Sequence, residues 1–335
     1  MKKLLPVAYP PITSYTDISA AMIILWARKE KTISWISDHL IQLYASNEII
    51  QGSFYDFVNN DNYPREGNCP FLQKYTINRD ILEMACFSDF IERQINNNYY
   101  LNVTLDQYEL NCSKYFQKKH KYHITFIYGY DSENELVYIA DFYGGQKLTF
   151  QTISYSNLNS GFFSVRVKNA REWEVEIFLL KYVDNTYDTN IKLLIRFLDD
   201  YLNGIDSFLK YTFSFRHKEV LIRYGIEYYD MLLEHCQSVG KNGTLNTTIF
   251  HVLFDHKELM RIRLEYLTKI GLILGDTSLS TDFNNLQEKT LSIRNMVMKY
   301  NILKNNNIIT RIIIALVELR KIDKNLTFKL RNAIH

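Results

Sequence analysis

The chain has 335 residues, 39 Lys and Arg against 37 Asp and Glu, a formal net charge of +2, and 47% apolar with 23% charged residues. The near-neutral balance leaves no global field for nucleic acid, and the composition excludes disordered, collagen-like and coiled-coil chains. The length fits one large domain or two ordinary ones, enough to bury a core without disulfide or metal staples.

The opening, MKKLLPVAYPPI, has two lysines and a short apolar run broken at Pro6 and Pro10-Pro11. That run is too short for a secretory signal, and no segment has the roughly 18 apolar residues of a membrane span. The expectation is a cytoplasmic protein with no membrane or nucleic-acid partner. Cys69, Cys86, Cys112 and Cys236 form no CxxC, so they read as free thiols rather than a zinc or redox pair. No GxGxxG, GxxxxGK[ST] or HExxH occurs, which removes the usual dinucleotide, nucleotide-triphosphate and zinc-peptidase signatures.

In chain order, Asp17 is placed to cap a helix from Ile18 to about Arg28, and a second helix is predicted from about Ser34 to Ala45. Residues 51–70 are turn-rich, and a helix is predicted from about Arg79 to Asn96. Strands are then predicted over 99–105, 123–130, 135–142, 148–153, 162–167 and 175–182. A polar turn at 131–134 joins the second and third into a hairpin, and Gly144-Gly145 marks another turn. From about Thr189 the apolar period becomes helical, with helices expected near 190–203, 218–238, 246–271, 283–305 and 307–321. The expected fold is therefore α+β, an antiparallel-sheet domain over 1–185 followed by an all-helical domain over 186–335.

His123 opens one strand of the predicted hairpin and Asp141 lies near the end of its partner. If the register is symmetric about residue 132, the two face each other directly, with Cβ atoms about 5 Å apart. A carboxylate so placed fixes the imidazole tautomer and leaves the other nitrogen free to take a proton. The alternative is a cross-strand polar pair on a solvated face.

The order His123 to Asp131 (HITFIYGYD), then Val137-Tyr138-Ile139-Ala140-Asp141-Phe142-Tyr143, resembles the His/Asp half of papain-like cysteine peptidases, including the peptidase domains of bacteriocin exporters. With Trp35, the IQLY run, Cys69-Pro70, the Tyr99-Tyr100 strand and a long helical tail, the pattern is similar to the butirosin-H-type N-terminal domain family. These are papain-like acyltransferases and amide synthetases of natural-product clusters, among them the closthioamide amide synthetase. The resemblance implies a papain-like catalytic domain that moves an acyl group from a carrier-protein thioester to an amine in nonribosomal-peptide-type biosynthesis. It implies an acyl or peptidyl carrier protein and a small amine as partners. It implies no cofactor other than the phosphopantetheine that holds the substrate, and no metal.

The resemblance also implies a nucleophilic cysteine at the N-terminus of the first helix, where helix-end amides lower a thiol pKa and stabilise an oxyanion. Residues 15–21 contain no cysteine. Ser19 is the nearest hydroxyl in the first turn, just after Thr16, and its alternative reading is a helix-terminal polar residue. Cys69 is the other nucleophile candidate, because Pro70 suits the first position of a helix and the order Cys69, His123, Asp141 resembles transglutaminase-type triads. Its alternative is a cysteine packing a turn. Cys86, on an apolar helix face, and Cys112, in a polar loop, are weaker candidates. His120, within Lys118-Lys119-His120-Lys121, reads as a solvated turn or as a docking patch for the carrier's phosphopantetheine arm. His251 and His256, five apart, do not share a helical face for a metal. The rival functions are a non-catalytic binding protein of the same fold and a cysteine peptidase, and a homodimer stays open.

Overall fold

The computed structural model describes residues 1–46, 51–54, 69–82, 86–143, 147–165, 172–207, 222–239, 243–273 and 277–334. The turn-rich residues 55–68 and the Gly144-Gly145 turn lie outside these. In chain order the elements are β1 (Lys2–Leu4), α1 (Thr16–Trp26), α2 (Lys29–Asp38), β2 (Leu43–Ser46), β3 (Gln51–Phe54), β4 (Leu72–Asn78), α3 (Phe87–Asn96), β5 (Tyr99–Asp106), β6 (Tyr122–Asp131), β7 (Leu136–Asp141), β8 (Thr149–Ser154), α4 (Tyr155–Phe163), α5 (Glu172–Val175) and β9 (Glu176–Tyr182). They continue as α6 (Ile191–Asn203), β10 (Ile222–Tyr224), α7 (Tyr228–Ser238), α8 (Thr247–Lys269), α9 (Thr277–Leu303) and α10 (Asn306–Ala333). The chain divides into two compact units, residues 1–29 with 66–186, and residues 30–65 with 187–335.

The first unit is an antiparallel sheet in the order β4-β9-β5-β6-β7-β8, with β1 also paired to β6. Its strands are rich in Val, Ile, Tyr, Phe and Thr, which suit a pleated surface. β5 is buried along almost its whole length because both faces are covered. On one face, Arg28, just past α1, donates from Nη2 to the Tyr100 hydroxyl at 3.3 Å, and Tyr100 stacks on Phe126 at 5.6 Å. On the other, Phe87 of α3 stacks on Phe162 of α4 at 3.7 Å. There Gly161 brings α4 so close that a Cβ on it would lie 3.6 Å from Leu105 Cβ.

The β6–β7 pairing is irregular. Gly129 opposes Tyr138, but Ile127 opposes Ile139, so Tyr128 is an extra residue in β6.

Several segments depart from the sequence expectation. The second helix ends at Asp38, and residues 43–46 form β2, which pairs with β3 in one direction and β10 in the other. Of the helix expected over 79–96, residues 79–81 form a single 3-10 turn and α3 begins at Phe87. β4, the alternating Leu72–Asn78, was not anticipated. The strand expected at 162–167 is not formed by Phe162-Phe163, which end α4. That helix starts where Ser154 Oγ accepts from Asn157 N at 3.1 Å, a cap that converts the end of β8 into a helix start.

The second unit is not all-helical. It contains the three-stranded sheet β10-β2-β3 together with α2 and α6 to α10. β10 falls within the helix expected over 218–238; Ile222-Arg223-Tyr224 has β-forming ends, and its partner strand lies some 180 residues earlier at Tyr44–Ser46. Residues 30–65 therefore belong to this unit rather than to a continuous 1–185 domain. A fully buried ionic cluster ties α8 to α10 here. Lys257 Nζ lies 2.5 Å from Asp323 Oδ2, and the hydroxyls of Tyr201 and Tyr229 donate to the same oxygen at 2.6 and 3.1 Å.

Candidate functional site

His123 and Asp141 meet at one end of the first unit's sheet. The 127/139 register carries forward to set Asp141 opposite Thr125, not opposite His123, so the imidazole is the diagonal neighbour on the same face. The symmetric register expected from the sequence is thus two residues out, yet the pair forms. His123 Nδ1 lies 2.8 Å from Asp141 Oδ1 and 3.0 Å from Oδ2.

Asp141 is fully buried and accepts from three further donors. These are Phe142 N at 2.6 Å to Oδ1, and Thr125 Oγ1 at 3.2 Å and Gln107 Nε2 at 3.5 Å to Oδ2. A buried carboxyl group with this donor set has both its oxygens paired. Two residues hold the donors in turn. Tyr143 OH donates to Thr125 Oγ1 at 3.0 Å, and Ser113 Oγ donates to Gln107 Oε1 at 3.3 Å. Burial, reinforced by the Asp141 charge, lifts the Tyr143 phenol well above its usual range, so it stays a donor.

Among the described residues Nδ1 faces carboxylate oxygens alone, so its proton is assigned there and Nε2 carries the lone pair. Among the described residues Nε2 has no hydrogen-bond partner, and the His123 side chain is 28% exposed. The edge of Phe142 approaches the ring, with centroids 6.4 Å apart at 86°. The arrangement is a fixed, partly solvent-facing base on a buried anion.

Neither nucleophile candidate joins it. Ser19 is fully buried inside α1, its Oγ 2.7 Å from Tyr15 O and 3.1 Å from Ile12 O, which use its one proton. Asp17 lies in the first turn of α1 rather than at its cap, which is Tyr15 with no side-chain bond. Cys69 is buried in the turn before a strand, not at a helix start, with its carbonyl accepting from Leu72 N at 3.2 Å. The registers measure its displacement. His123 is level with Leu105, Val103 with Ile177, and Ile177 with Ile77, so Leu72 lies seven residues down the sheet from His123. At 3.3 Å per residue that is about 23 Å, with Cys69 further still.

Cys112 is drawn near instead. Burial, with the Asp141 charge adding to it, pushes its thiol up to about 11, so it is a neutral thiol rather than a ready thiolate. Cys86 caps α3, with Sγ 2.8 Å from Ser88 Oγ. His251 and His256 are separately engaged, His251 with Asp255 at 3.3 Å and His256 Nε2 with Ile41 O at 2.7 Å. Among the described residues no group of three or more His, Cys, Asp or Glu could hold a metal ion, and no helix is long and apolar enough to cross a membrane.

The sequence reading missed Thr125, Gln107 and Tyr143. Thr125 carried a signal, since it is two residues from His123 and therefore on its face. It also missed a second imidazole–carboxylate pair at the same end of the sheet, where His120 Nδ1 lies 2.6 Å from Asp106 Oδ2. Burial raises the Asp106 carboxyl, but hydrogen bonds from His120, Ser164 Oγ and the amides of Tyr108 and Lys121 outweigh it and hold the group below its usual range.

Compared with protein-family models and with curated proteins, the chain matches none.

Proposed function

We propose that the chain is an acyl-transfer enzyme of papain-like fold that forms an amide from a carrier-bound thioester and a small amine, with His123 as the base. The observation that carries this reading is the free Nε2 of His123, on a ring locked through Nδ1 to a fully buried Asp141. The resemblance of the His123–Asp131 and Val137–Tyr143 segments to papain-like acyltransferases supports the substrate class. Since Ser19 is buried with its proton spent on backbone carbonyls and Cys69 lies far along the sheet from the base, the amine attacks the thioester carbonyl directly. As the N–C bond forms, Nε2 takes the amine proton, the C–S bond breaks, and the thiolate leaves and is reprotonated from the imidazolium. Asp141 stabilises that imidazolium.

The test mixes an acyl-loaded carrier protein with an amine panel and follows amide by mass spectrometry. His123→Ala should lower the rate by about 10²–10⁴-fold, while Cys69→Ala and Ser19→Ala retain turnover and no acylated protein accumulates. A protein-bound acyl group abolished by either of those two substitutions would replace the direct route with a covalent one. That neither candidate nucleophile is bonded to His123 favours a second reading, a binding protein of the same fold without the reaction. Tight binding of the acyl carrier with no amide from any amine would establish that reading.

A further inference from the structure

The Asp106–His120 pair is unused by the chemistry above, and its construction is unlike that of a structural histidine. Asp106 is fully buried and takes four donors, Ser164 Oγ at 2.7 Å, Tyr108 N at 3.0 Å, Lys121 N at 3.1 Å and His120 Nδ1 at 2.6 Å. The His120 ring stacks on Tyr108 at 4.3 Å and 24°, yet its side chain is 65% exposed, and among the described residues Nε2 has no partner. A buried anion and an aromatic face thus hold one imidazole rigid at the surface.

Lysines flank it in the chain. Lys114, Lys118, Lys119 and Lys121 are all exposed. Lys114 and Lys121 lie over the two-sided Tyr115 ring at 5.2 and 4.7 Å from its centroid, and their charges pull the Tyr115 phenol down against the opposing effect of burial. Gln117, in left-handed backbone at φ 50°, donates its amide to Tyr108 O at 3.0 Å and so ties the start of the lysine segment to the residue whose ring stacks on His120. Asp106 and Asp141 are buried and already bonded, and Glu109, next to Tyr108, is half-buried, so the exposed charges of this segment are its four lysines.

We infer that His120, Lys118, Lys119 and Lys121 form a phosphate-binding subsite that holds the phosphate ester of the thioester donor. A phosphate offers oxygens to several ammonium groups and to one fixed imidazole at once, which fits a run of exposed lysines beside that imidazole better than a single carboxylate does. His120 and His123 are three residues apart, about 10 Å of extended chain. A pantetheine arm anchored by its phosphate at the first is long enough for its sulfur to reach the second. This inference deepens the acyl-transfer reading and rests on it only for the identity of the donor.

The experiment compares binding of pantetheine, 4′-phosphopantetheine, coenzyme A and phosphopantetheine-loaded carrier protein by calorimetry, on wild type, Lys119→Glu/Lys121→Glu and His120→Gln. Circular dichroism confirms that the variants fold. The phosphate should tighten binding about tenfold or more over pantetheine, with a preference that falls as salt rises. The double reversal should collapse the ratio toward one and His120→Gln should lower it several-fold. A preference for the loaded carrier over coenzyme A assigns the phosphate to a protein-borne arm; the reverse assigns it to a soluble donor. A wild-type ratio near one, or a ratio retained in the double reversal, overturns the subsite. Phosphate-dependent binding without amide formation would keep the subsite and remove the acyl-transfer reading, so the two fail separately.

Discussion

Replacing Asp323 by Ala should be among the most damaging single changes in the second unit, while replacing it together with Lys257 should be far milder. Lys257 Nζ has its three protons placed on Asp323 Oδ2 at 2.5 Å, Tyr201 OH at 2.9 Å and His256 Nδ1 at 2.9 Å, and both ionic side chains are fully buried. Asp323 alone accepts from Tyr201, Tyr229, Lys257 and, at 3.3 Å, Thr327. Its removal strands a cation without counter-charge and leaves hydroxyls without their acceptor, a cost of about 3–5 kcal/mol. Lys257→Met with Asp323→Leu removes both charges, and such apolar replacements of buried pairs cost about nothing or are stabilising. For a unit of this size 1 kcal/mol moves Tm by about 2–4 °C, so the single variant should melt about 6–20 °C below wild type. Calorimetric melting of wild type, Lys257→Met, Asp323→Leu and the double variant closes the cycle, with Asp323→Ala measured beside them. A double variant that melts as low as the Asp323→Ala protein would refute the reasoning, because the loss would then lie in packing rather than in an unpaired charge.

Other expectations follow from the same geometry. Burial, then the Lys257 charge, hold the His256 imidazole well below its usual range, so it is neutral in the folded unit. The unfolded chain takes up a proton below about pH 6.5 that the folded one does not. Stability should therefore fall by about 1.4 kcal/mol per pH unit there, and His256→Gln should flatten urea-measured stability against pH by about one proton. Asp141→Ala removes the acceptor that His123 Nδ1 has among the described residues. Amide formation should drop by about 10³–10⁴-fold, and ¹⁵N spectra should show His123 losing its Nδ1–H tautomer; retention of that tautomer would count against the role given to Asp141. Gly225 has φ +53° and a Cβ there would sit 2.3 Å from Tyr201 O, so Gly225→Ala should lower Tm by several degrees, and an unshifted melt would contradict the close approach.

What could be read in the sequence was local. The His123 and Leu136 strands announced themselves because each is a run of β-formers around a polar turn. The long helices of the second unit did so because their apolar period is sustained over many turns. Pairings that depend on distant segments were invisible. Leu43–Ser46 looks like the tail of a helix until Arg223 and its neighbours supply a strand beside it. The same holds for His120, whose carboxylate partner becomes one only when the chain folds back so that Gln107 N reaches Lys121 O at 2.9 Å. Cys69 lies apart from the His123–Asp141 pair for a related reason. Pro70 follows Cys69 as it would at a helix start, but the residues beyond pair with β9, and strand pairing overrode the local signal.

The extra residue in β6 sets more than a kink. On the hairpin side of Tyr128 the pairing runs Asp131 with Leu136 and Gly129 with Tyr138, and continued unbroken it would place Asp141 opposite Phe126. Phe126 lies on the Tyr100 face, away from His123. One inserted residue therefore turns the carboxylate through the sheet to the side where the imidazole waits, because a single-residue slip exchanges the faces of a strand. The strand and its sequence composition would survive the loss of Tyr128; the partnership would not. Two side chains eighteen positions apart owe their meeting to a third that touches neither, and a chain one residue shorter at that point would carry the same histidine and the same aspartate on opposite sides of one sheet.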